Sequence, residues 1–185
     1  MKKVLFVAVI LLTTTFGLFA QNCNLKGIVR YEYNDYIGYK IDAGAEIYIV
    51  STKKAQDFDF VLWEEYKKLS DKYIYYLKLK EAGGGYADNM AAIFANWEEE
   101  DKERLDNISI KCLEQFVSLT ANAEYIEIVD ESGKYMMQIP YGEYYIIAKS
   151  KNRDRPTSTE LLGRILIEKV EINKPTELLS FDFDI

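Results

Sequence analysis

The chain has 185 residues, of which 49% are hydrophobic, and this size suits one domain with an ordinary core. Acidic residues outnumber basic ones by 30 to 23, giving a formal net charge of −7; because a phosphate backbone binds to basic faces, we expect no nucleic-acid partner. The absence of histidine excludes histidine-based triads, the usual zinc sites and most general bases that act near neutral pH. A pair of carboxylates acting on a glycoside needs no histidine, but nothing in the pattern indicates a concave site. We therefore expect no catalytic residues, no metal and no cofactor.

Residues 1–20 have the layout of a secretory signal peptide. Lys2 and Lys3 precede an apolar run, and the small residue Ala20 ends the segment. The alternative is a membrane anchor, but the apolar stretch is shorter than the roughly 20 residues that span a bilayer. We predict cleavage near Ala20 and a mature chain, 21–185, without a transmembrane segment. Its predicted location is periplasmic, outer-membrane-associated or secreted.

Two cysteines leave alternatives open. Cys23 lies just after the predicted cleavage site, where a lipid could be attached, although Gln21 and Asn22 fit a lipidation motif poorly. Cys112 lies on an apolar helical stripe. In an oxidising compartment the two thiols could form a disulfide, or Cys112 could be a buried small apolar residue.

The first predicted elements of the mature chain are two short strands. Apolar and polar residues alternate in 28–33 and again in 45–50, which is the pattern of half-buried strands. The residues of 34–38 have the composition of a turn between them.

The sequence pattern changes at residue 53 to a helical period. Apolar residues recur at steps of three and four at Leu62, Tyr66, Leu69, Tyr73 and Leu77. A second stripe consists of Met90, Phe94, Trp97, Leu105, Ile108, Cys112, Phe116 and Leu119, with Asp101 filling the one gap at the same spacing. Gly83, Gly84 and Gly85 separate the two stripes, and all three prolines lie outside 53–121. This stretch is predicted to form a helical hairpin.

Strand patterns return after the hairpin, at 123–129, 134–139, 143–149, 164–172 and 177–184. Asp130 and Gly133 bracket a tight turn, and the segment from Pro140 to Gly142 reverses the chain. If neighbouring strands alternate in direction, Tyr141 and Pro175 lie at the same end as the hairpin, while Tyr36, Asp130 and Arg153 lie at the opposite end.

One stretch carries a family resemblance. The pattern D-x-x-G-x-Y-x-x-x-x-P-x-G-x-Y-x-I, from Asp130 to Ile146, resembles the signature of carboxypeptidase regulatory-like or transthyretin-like domains, and residues 27–29 and 42–49 are similar to the first two strands of that family. The resemblance covers 23–52 and 122–185. It implies a mainly β fold, a seven-stranded Greek-key β-sandwich of bacterial envelope proteins. The hairpin 53–121 would then interrupt a single domain, 21–185, between the second and third strands.

The same resemblance does not imply an activity, because catalytic members of the family rely on histidines and on a Tyr-Arg-Gly-Ser tail that this chain lacks. The sequence therefore predicts a non-enzymatic structural or protein-interaction module of the cell envelope. If the hairpin projects, an interaction surface would include Trp63, Phe94 and Trp97, with Tyr141 near the same end; we expect the hairpin to dock instead. The alternative function is binding of a carbohydrate or another small ligand, with some of the 15 tyrosines as stacking surfaces.

Overall fold

The computed structural model describes residues 21–34, 36–82, 99–152 and 164–183. Two helices lie in these ranges, α1 (Phe60–Ala82) and α2 (Glu99–Ala121). The strands of these ranges are β1 (Asn22–Asn34), β2 (Gly38–Ile41), β3 (Glu46–Ser51), β4 (Tyr125–Ile128), β5 (Lys134–Pro140), β6 (Gly142–Lys149), β7 (Ile165–Ile172), β8 (Thr176–Leu178) and β9 (Phe181–Phe183). The described part of the chain is thus mainly β, as predicted.

The long strand β1 is the centre of a five-stranded sheet. Along one edge it pairs antiparallel with β5 and then with β2, and along the other edge it pairs parallel with β8 and then with β9. The N–H of Val29 donates to Gly133, while its carbonyl accepts from Asp42, which shows that β5 and β2 occupy the same edge of β1. The second sheet has four antiparallel strands in the order β4-β3-β6-β7.

The two sheets pack face to face and enclose the first core. Alternate residues of each strand point inward, which is the two-residue period of a half-buried strand. The largest buried contributors include Leu25 and Val29 of β1, Ile47 and Ile49 of β3, and Phe183 of β9. The predicted sandwich architecture is therefore present.

The two helices cover the other face of the four-stranded sheet and enclose a second core. The predicted stripe of α2 is buried there, at Leu105, Ile108, Cys112, Phe116 and Leu119. Trp63 and Tyr66 of α1 and Ile147 of β6 complete this core. Because β6 is covered on both faces, its sequence from Tyr144 to Ala148 is a continuous buried run rather than an alternating one. The hairpin therefore docks on the sheet along the described parts of its helices.

The strand count differs from the predicted seven at two places. Residues 39–41, which lie between the predicted turn and the next predicted strand, form β2 together with Gly38, because Gly38 adopts a φ of 69° that closes a hairpin with β1. The closing strand is divided into β8 and β9 around Leu179 and Ser180. As a result the helices follow the third strand, β3, and not the second. The assignment of 21–185 to one interrupted domain stays a prediction.

The ends of the sandwich follow the predicted strand directions. At one end Thr52 N donates to Glu143 O, Tyr141 N donates to Gln21 O, and Asn24 N donates to Pro175 O. The Asp130–Gly133 turn lies at the other end. Arg153 is outside the described residues.

The two cysteines lie in different cores. Cys23 is buried between the sheets and Cys112 between helix and sheet, so the four-stranded sheet separates two free thiols and a disulfide does not form. Burial raises the pKa of Cys23, and burial raises the pKa of Cys112 to about 11. Among the described helices, none combines the length and apolar character that a membrane span requires.

Candidate interaction surface

The outer face of the five-stranded sheet carries exposed apolar side chains. Ile28, Met136 and Leu178 are 37%, 68% and 70% exposed. In the strand register Lys26 lies opposite Met136 on one side and opposite Leu178 on the other, and Ile28 is the next residue on the same face. The three apolar residues are therefore neighbours of Lys26 on this face. The helices lie on the other sheet and do not cover this face.

These side chains line a groove of about 750 Å³ that extends from the outer face to β4. We call it the side groove, defined by residues 26–28, 127, 128, 130, 134–136, 178 and 180. Its volume lies within the usual range of ligand sites, roughly 300–1,000 Å³. Its lining residues come from β1, β4, β5 and β8, so the side groove lies where the two sheets meet.

Charged groups of both signs flank the side groove. Lys26 and Lys134 lie on the five-stranded sheet, while Glu127 and Asp130 lie on the β4 side. In the part of the chain that the structure describes, neither lysine forms an ion pair, and neither does Glu127. These three charges are therefore available to a partner.

A tight turn fixes β4 against β5 at the end of the side groove. One carboxylate oxygen of Asp130 accepts hydrogen bonds from the backbone N–H and hydroxyl of Ser132, at 2.8 and 2.7 Å, and from Lys134 N at 2.9 Å. The hydrogen bond from the Lys134 N–H, followed by those from Ser132, lowers the pKa of Asp130. Gly133 completes the turn with a φ of 76°, and its Cα lies against Ile41.

Because Gly27 of β1 has no side chain, the connection between β8 and β9 can lie close to β1 beside the side groove. A Cβ on Gly27 would overlap the carbonyl oxygen of Leu179 and would lie 2.8 Å from Cε1 of Tyr135. Next to Gly27, the Tyr135 hydroxyl donates a hydrogen bond of 2.5 Å to Leu179 O. Burial raises the pKa of Tyr135, so this hydroxyl remains a donor across the physiological pH range.

The edge strand β4 presents a further apolar pair. Ile126 and Ile128 are 59% and 66% exposed. They lie opposite Tyr48 and Glu46 of β3, on the face of the four-stranded sheet that the helices cover elsewhere. On that face Glu46 accepts hydrogen bonds from Lys149 Nζ, at 2.8 Å, and from the Tyr48 hydroxyl, at 2.7 Å; both lower the pKa of Glu46.

Of the four predicted interaction residues, the structure describes Trp63 and Tyr141. Trp63 is only 3% exposed and packs against Tyr66 in the helix–sheet core, with ring centroids 5.6 Å apart. Tyr141 is partly buried against the other core. Phe94 and Trp97 lie outside the described residues. Sequence reasoning missed the side groove, although Ile28, Met136 and Leu178 are apolar residues at positions of the strand pattern that point outward.

The tyrosines of the described part of the chain lie both in the cores and at the surface. Tyr66, Tyr135, Tyr144 and Tyr145 are buried in the two cores. Tyr39 instead lies under the guanidinium of Arg30, 5.3 Å from the ring centroid. Tyr33, Tyr36, Tyr39 and Tyr75 are 49%, 100%, 45% and 49% exposed, so core packing accounts for only some of the tyrosines that the structure describes.

A scan against protein-family models and a search of curated proteins both find no match to this chain. A search of solved structures returns the pilus backbone protein RrgB of Streptococcus pneumoniae, at 12% identity and a TM-score of 0.30, over 82% of this chain and 34% of that chain. The full-length major pilin RrgB is similar at 11% identity and a TM-score of 0.32, over 88% of this chain and 30% of that chain. This chain spans about a third of the length of those pilins. TM-scores near 0.3 are too low to define a shared fold, and the transthyretin-like resemblance stays a prediction.

Proposed function

We propose that the chain is a non-enzymatic, exported protein-interaction module that binds a protein partner through the side groove. The observation that carries this proposal is the exposure of Ile28, Met136 and Leu178 around one groove, since contiguous exposed apolar side chains with a polar rim are typical of protein-binding sites. The two unpaired lysines and Glu127 form that rim.

The helical hairpin has a supporting role in this proposal. Its apolar stripe is buried against the four-stranded sheet along the described helices, so it is not free to bind a partner. An interaction surface on the hairpin was predicted only for a hairpin that projects, whereas the described helices dock. The transthyretin-like Greek-key topology belongs to the same proposal and rests on the Asp130–Ile146 motif and the two packed sheets. Export to the cell envelope rests on residues 1–20.

Charged substitutions in the side groove test the proposal. The tagged mature chain is cross-linked in envelope extract, and captured proteins are compared for the parent and for a double variant, Met136→Asp with Leu178→Asp. We expect capture of the specific partner to fall by about tenfold or more, because buried apolar anchors dominate interface energy.

The matched control is Val117→Asp, which introduces the same charge at a helix residue that is 59% exposed and remote from the side groove. Circular dichroism and the thermal midpoint verify that each variant is folded. If the groove variant still captures the partner and the Val117 variant does not, the binding site lies on the helices and the proposal is wrong.

A further inference from the structure

The strand β4 leaves one edge of the four-stranded sheet without a partner strand in the described part of the chain. Val129 donates its N–H to Ala45 O, and its carbonyl accepts from Gly44 N, so both backbone groups of Val129 point toward β3. Backbone groups alternate along an antiparallel strand, and the N–H and C=O groups of Ile126 and Ile128 therefore point away from β3. Two donors and two acceptors are presented at this edge.

The side chains at this edge protect it from some partners only. Exposed edge strands are commonly guarded by short length, charged side chains, proline or a bulge that prevents pairing with another chain. In β4 the guards are its length of four residues and the negative charge of Glu127, while the two outward-bonding residues are isoleucines, 59% and 66% exposed. Within the described part of the chain, the edge thus combines backbone groups that have no partner strand with apolar side chains on one face.

We propose that β4 binds an extended segment of a protein partner as an added strand, and that this segment has an apolar–basic–apolar pattern. The inference rests on the proposed interaction function and names the kind of partner. Two apolar residues of the segment lie beside Ile126 and Ile128 on the face next to the helices. The basic residue between them lies beside Glu127 on the opposite face, which opens onto the side groove.

The negative charge around β4 favours a basic segment of another protein over a second copy of this chain. Residues 124–133 contain four acidic side chains and no basic one. An antiparallel pair of two β4 strands that used both outward-bonding residues would place Glu127 directly opposite Glu127 of the second copy. Like charges at directly opposite positions destabilise a strand pair, whereas a lysine or arginine there stabilises it.

Peptide titration of the full mature chain tests the proposal. The probes are acetyl-TVKVKT-amide and its acidic counterpart acetyl-TVEVET-amide, followed by backbone chemical shifts. We expect the basic peptide to shift the amide signals of Ile126 and Ile128 and to bind at least about tenfold more tightly than the acidic one. In the Glu127→Lys variant this preference reverses.

Two further measurements isolate the backbone pairing. Ile126→Pro removes an outward N–H without removing a bond to β3, and we expect it to weaken binding of the basic peptide by about tenfold. The second measurement uses the unchanged protein and a basic peptide that is N-methylated at the lysine between its two valines and at its second valine. Whichever edge of the peptide pairs with β4, one of these N-methyl groups faces β4 and blocks a hydrogen bond. We therefore expect a similar loss of affinity.

Equal binding of the N-methylated peptide, equal binding of the acidic peptide, or shifts confined to α1, α2 or β7 would overturn strand addition. So would a dimer in sedimentation experiments that the Ile126→Pro change dissociates, since the occupant would then be a second copy. If the peptide fails while the Met136 and Leu178 variant still abolishes capture, strand addition is wrong and the proposed function stands. If the peptide binds as expected while capture is unaffected by that variant, the side-groove function is wrong.

Discussion

Asp42→Ala is expected to lower the free energy of unfolding by about 3 kcal/mol, because it removes the acceptor of a buried polar network. The Asp42 side chain is fully buried between β2 and β3. One carboxylate oxygen accepts from the Ser150 hydroxyl, and the other accepts from Asn152 Nδ2 at 2.8 Å, Asn152 N at 3.1 Å and Lys151 N at 3.3 Å. The substitution would remove this shared acceptor, although Asn152 Nδ2 would keep its bond to Ala43 O at 3.1 Å. It would thereby weaken the attachment of the end of β6 to residues 42–45, which connect the two sheets.

Urea denaturation of the mature chain measures this effect. Asp42→Asn is expected to recover only part of the stability, because its amide group places donors against donors. The control is Asp130→Ala, in which an exposed aspartate that accepts three hydrogen bonds is lost; we expect a smaller loss of stability, because water can replace the missing acceptor. Equal destabilisation by the Asp42 and Asp130 substitutions would contradict the structural role assigned to the buried network.

Gly27→Ala is expected to destabilise the protein by a similar amount, about 3 kcal/mol, because the added methyl group has no space. The added methyl group would collide with the backbone carbonyl of Leu179 and with the Tyr135 ring. A backbone atom cannot move aside as the end of a flexible side chain can. The connection between β8 and β9 would have to shift, and the hydrogen bond from Tyr135 to Leu179 would be strained.

The matched control for Gly27 is Gly38→Ala. Gly38 has a φ of 69° but no neighbouring atom within 4 Å of an added Cβ, so only backbone strain of about 1 kcal/mol is expected. Thermal and urea unfolding of both variants provide the comparison. A Gly27 variant as stable as the Gly38 variant would show that the last strands do not pack on β1 as described.

Much of the fold could be predicted from local patterns. The two-residue alternation identified the strand that became β3, the turns at 130–133 and 140–142 delimited the strands that became β5 and β6, and the stripe from Leu105 to Leu119 identified the buried face of α2. These patterns succeed because each segment buries one face, which the period of the sequence records directly. The turn at Asp130 was predictable for the same local reason, since its aspartate bonds its own backbone.

The missed features depend on contacts between segments far apart in sequence. The first residues of β1 pair with β8 and β5, more than a hundred residues away, and the break at Leu179 follows from the missing side chain of Gly27. Asp42 was assigned to the start of a strand, because nothing local indicates that Ser150 and Asn152 will surround it.

The candidate site was the least predictable part for a related reason. Whether a side chain is exposed depends on what covers the face of the helix or sheet on which it lies. The sequence around Trp63 is the same whether its helix docks on the sandwich or projects from it. The structure shows that the helices cover the four-stranded sheet, while the outer face of the other sheet is left to solvent. Apolar residues at outward positions, such as Met136 and Leu178, are therefore the informative signal, and they can be recognised only after the strands are assigned to faces.

Hydrogen–deuterium exchange of the mature chain, alone and in complex with its captured envelope partner, tests the central claim most directly. If the partner binds at the side groove and β4, amide exchange will slow in 125–128 and 134–136 and stay unchanged along the outer surfaces of α1 and α2. Slowed exchange confined to the helices, with β4 and β5 unaffected, would contradict the assignment of the binding surface.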